Sequence, residues 1–212
     1  MPRVSRAQTE IHREAITEAS ARLFRERGIK AVSVADLMGA AGLTHGGFYG
    51  HFESKDALAG IAGEHAFAQA TERWRKRVAT QESPAEQRAA IVEGYLRPQS
   101  IRDIAGGCPT AALCIDVARE PAGAPVRAAY LAGLSDMVDT LARAESTGDA
   151  ATDRRAALAD YATMLGAMLM ARATAGHPIA DEIVAAARER LLAAAPAPAS
   201  APRIRARRST PA

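Results

Sequence analysis

The spacing of apolar positions predicts helices along nearly the whole chain. Between Gln8 and Arg27, Ile16, Ala19, Leu23 and Phe24 share one face of a helix. Gly28 stands where a C-cap glycine belongs. Ser33 is placed to cap the next helix, with Asp36 as the acid of a capping box. That helix, about Val34–Ala41, turns Val34, Leu37, Met38 and Ala41 inward. Gly42 makes a tight turn, Leu43 points back to the core, and Thr44 caps a short helix His45–Phe52. Ser54 caps a longer one that runs through Trp74 to about Arg77.

The second part of the chain repeats this alternation of helix and breaker. Pro84 opens a helix Ala85–Leu96. Pro98 and Gly106-Gly107 bound a short irregular segment, and Pro109 starts a helix Thr110–Arg119. Val126–Ala144 is long and amphipathic. Asp153–Ala175 carries Leu158, Tyr161, Ala162, Leu165, Met168 and Leu169 on one side, and Asp181–Ala194 closes the series. From Ala195 onward the composition turns to Pro, Ala, Ser and Arg, too poor in large apolar groups to fold.

Composition narrows the fold. Of 212 residues, 48% are apolar and only 4% aromatic. Alanine supplies much of the apolar share and favours closely packed helices. Runs of β-branched residues are few, so strands have little support. The expectation is an all-α protein with three regions: 1–53, a helix-turn-helix domain with a basic N-terminal arm; 54–194, a helical domain; 195–212, a disordered tail.

The net charge of +3 permits nucleic-acid binding without establishing it. Arg3 and Arg6 lie at one end, and Arg203, Arg205, Arg207 and Arg208 at the other. No leader pattern and no membrane-spanning run is visible. Two cysteines cannot form a disulfide framework. A soluble cytoplasmic protein is the resulting expectation.

The stretch Val34–Phe52, VADLMGAAGLTHGGFYGHF, carries the functional signal. Two short helices joined at Gly42, behind a longer first helix, make a helix-turn-helix. Leu37, Ala41, Leu43, Phe48 and Phe52 would lock the pair at a steep angle. The outer face of His45–His51 is then free to enter a DNA major groove. Gly46 and Gly47 each weaken a helix by roughly 1 kcal/mol, which is tolerable where bare backbone must approach DNA closely.

The segment Ile16–Leu58, above all LTHGGFYGHFESKDAL, resembles the N-terminal domain of the tetracycline-repressor (TetR) family of transcriptional regulators. Beyond it the likeness is one of architecture, plus a Gly-Cys-Pro-x-Ala-Ala-Leu segment at Gly107–Leu113 similar to one in a subgroup of that family. The resemblance implies that Ser33, Thr44, His45, Gly46, Tyr49, His51 and Lys55 contact DNA. Met38 departs from the family pattern, which has a small residue there. Gly50 departs too, replacing a longer polar residue and removing one base or phosphate contact.

The resemblance further implies a helical effector-binding and dimerisation domain. The chain would be a homodimeric repressor released from a double-stranded operator by a small molecule. Apolar and aromatic candidates for the effector pocket are Trp74, Tyr95, Ile104, Cys108, Leu113, Met137, Leu141, Tyr161, Met164 and Met168. Stripes on the last two helices mark a dimer interface: Tyr161, Leu165, Gly166, Leu169, Ile183, Val184, Ala187 and Leu191.

Cys108 lies at the start of the helix opened by Pro109, where the dipole favours a thiolate. It is either a sensor of oxidants or electrophiles or a small buried filler. Neither cysteine has a Cys or His neighbour to complete a metal site, and no cofactor is implied. An enzyme using Cys108 or Cys114 is the rival reading. No paired base or triad spacing supports it, and the expectation is that the chain is not an enzyme.

Overall fold

The structure is a computed structural model that describes residues 6–145 and 147–193. Of the expected arm (residues 1–7), residues 1–5 lie outside the described residues, as does the tail (195–212), whereas Arg6 and Ala7 belong to the first helix. The described chain is helical, without strands: α1 (Arg6–Arg27), α2 (Val34–Ala40), a 3₁₀ helix (His45–Gly50), α3 (Lys55–Val78), α4 (Pro84–Tyr95), α5 (Pro98–Arg102), α6 (Pro109–Ala118), α7 (Pro125–Glu145), α8 (Ala150–Ala173) and α9 (Ile179–Leu192).

Local chemistry accounts for most boundaries. Gly28 takes φ +86° after α1 and Gly42 φ +72° after α2, conformations that a side chain would strain. Ser33 and Asp36 form the expected capping box, and Ser54 accepts from the Ala57 amide. Ser83 and Glu86 form a second box at α4.

Three elements differ from expectation. The second helix of the pair is a 3₁₀ helix, with three glycines among its six residues; i→i+3 bonding is common in such short pieces. The segment after Pro98 forms α5, with that proline in its first turn. Helix α8 starts at Ala150, because the Asp149 carboxylate accepts from the Ala151 and Thr152 amides at 3.3 and 3.2 Å.

Two apolar clusters form the interior. One joins Ile16, Phe24, Leu37, Met38, Phe48, Phe52 and Leu58 to Leu113, Val117 and Val126 of α6 and α7. The other joins Phe67, Trp74, Ile91, Tyr95, Leu141, Tyr161, Met164 and Met168. The first core therefore runs past residue 53. Helix α3 supplies both clusters and packs most extensively along α7.

Polar ties reinforce this frame. Glu18 of α1 pairs with His65 at 2.6 Å and accepts from Gln69 at 2.8 Å, both on α3. These bonds hold the Glu18 carboxyl below its ordinary pKa, the His65 contact most of all. The half-buried Arg88 of α4 reaches Glu145, Asp160 and the Leu191 carbonyl, so one guanidinium ties α4, α7, α8 and α9.

Gly133 of α7 lies directly on the Phe67 ring, which an added methyl group would overlap. Gly133→Ala is expected to destabilise by about 1–3 kcal/mol through overpacking. Gly39→Ala, with open space at the added carbon, should instead stabilise by about 0.5–1 kcal/mol. Urea denaturation of both variants beside the parent checks the two signs.

Candidate nucleic-acid interface and ligand cavity

The 3₁₀ helix is held from below by apolar groups, and the helix before it by a capping box. Phe48 is fully buried, with Leu37, Met38 and Phe52 beside it. The Leu43 amide donates to the Met38 carbonyl at 2.8 Å, closing the turn at Gly42. In the α2 box the Asp36 amide donates to Ser33 Oγ at 3.1 Å, and the Ser33 amide donates to Asp36 Oδ2 at 2.8 Å. The Ser33 hydroxyl, which also donates to Asp36 Oδ2, and then the Ser33 amide hold the Asp36 carboxyl below its ordinary pKa.

This frame leaves Thr44, His45, Gly46, Gly47, Tyr49 and Gly50 exposed. Tyr49 is 72% exposed, its ring standing edge-on to Phe48 at 5.2 Å. Thr44 sits at the cap position but makes no capping bond, so its hydroxyl remains available. Ser33 is also exposed, with its hydroxyl engaged by Asp36. Lys55 is the first residue of α3, partly exposed beside the Ser54 cap.

His51 does not stand on this outward face. It is half-buried, its ring 5.9 Å from that of His12 on α1, with Nδ1 buried and unpartnered. The chain turns at His51, so its ring falls against α1 and away from the exposed side chains. Arg13, absent from the expected site, does the positioning. It donates to the His51 carbonyl at 2.6 Å and lies 4.7 Å over the Phe52 ring. These partners lie 38 residues apart, beyond the reach of local sequence pattern.

A cavity of about 300 Å³ opens between α3, α4, α5 and the loop before α6. Trp74, Tyr95, Cys108, Met137 and Met168 of the expected set line it. The rest do not. Tyr161 stacks edge-on behind Trp74 and Tyr95, at 5.6 and 6.0 Å. Leu141 and Met164 are core beneath it. Leu113 belongs to the N-terminal core, and Ile104 is 39% exposed outside the cavity. Apolar pattern could not separate lining from core, because both need the same residue types. It also missed the polar half of the wall: Arg73, Arg77, Arg97, Gln99, Ser100 and Asp103.

Cys108 is the N-cap residue of α6 and is buried, its Sγ 3.5 Å from Tyr161 Oη. Cys114 is partly buried on the same helix and also unpaired. Among the described residues no group of three His, Cys, Asp or Glu is placed to hold a metal.

The loop between α5 and α6 touches both parts of the molecule. The buried Arg25 of α1 donates Nε to the Ala105 carbonyl at 2.5 Å. Arg73 donates to the Gly106 carbonyl at 3.0 Å. Arg172 of α8 donates to the carbonyls of Ile101, Ser100 and Asp103. Asp116 of α6 accepts from the Ile29 amide at 2.9 Å, just after α1.

The expected dimer stripe divides. Tyr161 and Leu191 are 3% and 2% exposed within the chain's own core and offer no surface to a second copy. Ile183, Val184 and Ala187 of α9 are partly buried against that core, as is Leu165. Leu158 and Leu169 of α8 are 46% and 37% exposed, on the flank beside Tyr161 and Met168. The inward stripe of α8 is Ala157, Tyr161, Met164, Met168 and Ala171. With Ala162, Leu165 and Gly166, the exposed leucines form an apolar strip along that flank.

Residues 16–60 match the model of the bacterial regulatory proteins of the tetR family. Over 46 residues the chain is 41% identical to the HTH-type transcriptional repressor KstR2 of Rhodococcus jostii (strain RHA1). That match spans 22% of this chain and 22% of the relative's length. The fold is similar to that of a TetR transcriptional regulator from Chloroflexus aurantiacus J-10-fl: TM-score 0.73, 26% identity, covering 88% of this chain and 94% of the other. It is also similar to AibR, solved in complex with isovaleryl coenzyme A and operator DNA: TM-score 0.62, 20% identity, covering 85% and 98%.

The adjacent aromatics of the 3₁₀ helix separate packing from display. Phe48→Ala is expected to cost about 3–5 kcal/mol of stability. Tyr49→Ala should change it by less than about 0.5 kcal/mol. Chemical denaturation of the two variants reads the difference, and equal losses would mean that Tyr49 is packed.

Proposed function

We propose that this chain, a tetR-family protein in its residues 16–60, is a dimeric DNA-binding repressor controlled by a small molecule. The observation that carries the reading is the outward face Thr44, His45, Gly46 and Tyr49, held at a fixed angle by buried Phe48 and the Gly42 turn. A face this polar on so short a helix gains nothing from the chain's own core and suits a DNA groove. Thr44, Tyr49 and Lys55 grip phosphates, and His45 reads base edges. Ser33 and Gly46 lie alongside, where backbone and hydroxyl approach the duplex. His51 contributes through its carbonyl, by which Arg13 fixes the helix. The likeness to KstR2 favours repression.

Pairing of two copies runs along the exposed strip of α8, Leu158, Ala162, Leu165, Gly166 and Leu169, with Ile183, Val184 and Ala187 of α9 at its side. Small residues let the helices approach closely, and four such helices make a bundle seam. A dimer sets two reading helices about 34 Å apart, one turn of DNA. Functionally, residues 1–53 serve DNA, 54–194 serve ligand and pairing, and 195–212 form a tail. No described helix is long and apolar enough to cross a membrane, and the site of action is the cytoplasm.

The effector enters the cavity beside Trp74. AibR was solved with both a coenzyme A thioester and operator DNA, which supports a ligand-responsive reading of the shared fold. Here the message would pass through the Asp103–Gly107 loop, which lines the cavity and is bonded to Arg25 of α1. The ligand shifts the dimer only by its differential affinity for the two arrangements.

Operator sequences recovered by genomic footprinting provide the test. Lys55→Ala and Tyr49→Ala should weaken operator and random DNA alike, Lys55→Ala also lowering the salt slope by about one. His45→Ala should cost about 1–3 kcal/mol on operator alone. Identical losses on both DNAs for all three variants, read by fluorescence anisotropy, would remove the base-reading role.

Leu169→Arg puts a charge into the proposed seam. It should yield monomers by sedimentation velocity and weaken operator binding, while far-ultraviolet circular dichroism stays unchanged. A variant that remains dimeric would refute this interface.

A further inference from the structure

The cavity beside Trp74 has an unusual charge. Arg73, Arg77 and Arg97 all line it, and none forms an ion pair among the described residues. The Arg77 guanidinium makes no hydrogen bond there either. It rests flat against Gly94 of α4, where a methyl group would overlap it. Burial holds Arg77 below its ordinary pKa, and Arg97 and Arg73 add repulsion. Among the described residues the only acid in the wall is Asp103, whose Oδ1 already accepts from the Gly106 amide at 2.7 Å.

The opposite wall is apolar: Trp74, Met137 and Met168. Among them Tyr95 is 4% exposed, and its hydroxyl has no hydrogen-bond partner. The neighbouring Cys108 thiol adds to the upward push of burial on its pKa but does not meet hydrogen-bond geometry. An orphaned buried hydroxyl is costly unless something else satisfies it. Crowded, unneutralised guanidinium groups likewise gain most from an anion, which Arg binds in forked geometry.

We infer that the cavity binds an amphipathic organic anion, its carboxylate or phosphate head held by Arg77 and Arg97, its apolar body against Trp74, Met137 and Met168. Tyr95 donates its hydroxyl to a polar atom of that molecule. Arg73 stays with the Gly106 carbonyl and supplies field rather than a direct bond. The volume, about 300 Å³, holds on the order of ten water-sized groups, so a medium-length body fits entirely. This inference deepens the effector reading above by naming the ligand class.

Trp74 is the sole tryptophan and lines the cavity, so its emission reports occupancy directly. Full-length protein is titrated with octanoate, octyl phosphate, octan-1-ol and octylammonium. Either anion should bind at least tenfold more tightly than the alcohol, and the cation more weakly still; the stronger anion identifies the head group. Arg77→Gln and Arg97→Gln should each lower anion affinity about tenfold and leave the alcohol's unchanged. Tyr95→Phe should lower it several-fold, with thermal melts showing that each variant is folded.

Equal binding of alcohol and anion, or anion binding indifferent to both arginine variants, would overturn the inference. So would no binding of any probe. Operator binding and dimerisation, measured without ligand, would stand through that failure. Anion binding that leaves the operator complex intact would instead keep this site and refute its role in release.

Discussion

Helix α3 serves two cores with one rod. Its first half gives Leu58, Ala59, Ala62 and Ala66 to the cluster around Phe48. Its second half gives Phe67, Ala70 and Trp74 to the cluster around Tyr161. The contact with α7 is close because small residues line it: Gly63 meets Ala129, and Gly133 meets Phe67. Dense interiors transmit displacement rather than absorb it. In the proposed ligand response, a shift of α7 or of the cavity wall would be carried to the end of α3, where Lys55 adjoins the proposed DNA face.

The 3₁₀ helix depends on everything around it. Six residues with three glycines have little helical stability of their own. Phe48 anchors it in the core, the Ser33–Asp36 box holds the preceding helix, and Arg13 clamps its end to α1. The same glycines that weaken it leave bare backbone at the surface. In the proposed DNA complex, specificity rests on few side chains, chiefly His45, with phosphate contacts setting its register.

Arginines dominate the region between the two ends. Arg25, Arg73 and Arg172 hold the Asp103–Gly107 loop through its carbonyls, not through apolar packing. Arg25 and Arg73 are held below their ordinary pKa values, chiefly by burial, and Arg73 adds repulsion at Arg25. Such a loop is well placed to reset when the charge beside it changes, because its bonds are electrostatic and few. It joins the cavity wall to α1, which gives the proposed ligand response a physical route.

The all-helical architecture, the Gly28 and Gly42 stops, the Ser33 box and the display of Tyr49 were legible in the chain. Each depends on residues within a few positions of one another, where periodicity and capping chemistry act. His51, Arg13 and the partition of α8 were not. Which side of α8 faces inward is decided by its packing on α7, α9 and Trp74 of α3, which no local pattern fixes, so Tyr161 and Leu169 looked alike as stripe residues. Arg73, Arg77 and Arg97 carry no local mark of a binding wall, since arginine on a helix is ordinarily a solvated surface residue. Sequence alone determined the long helices, the stops at Gly28 and Gly42 and the helix-turn-helix, because those follow from short-range backbone chemistry. Only the tertiary structure decided which apolar residues are core, which line the cavity, and that three guanidinium groups without an ion pair meet there, because burial and charge crowding exist only between segments brought together by the fold.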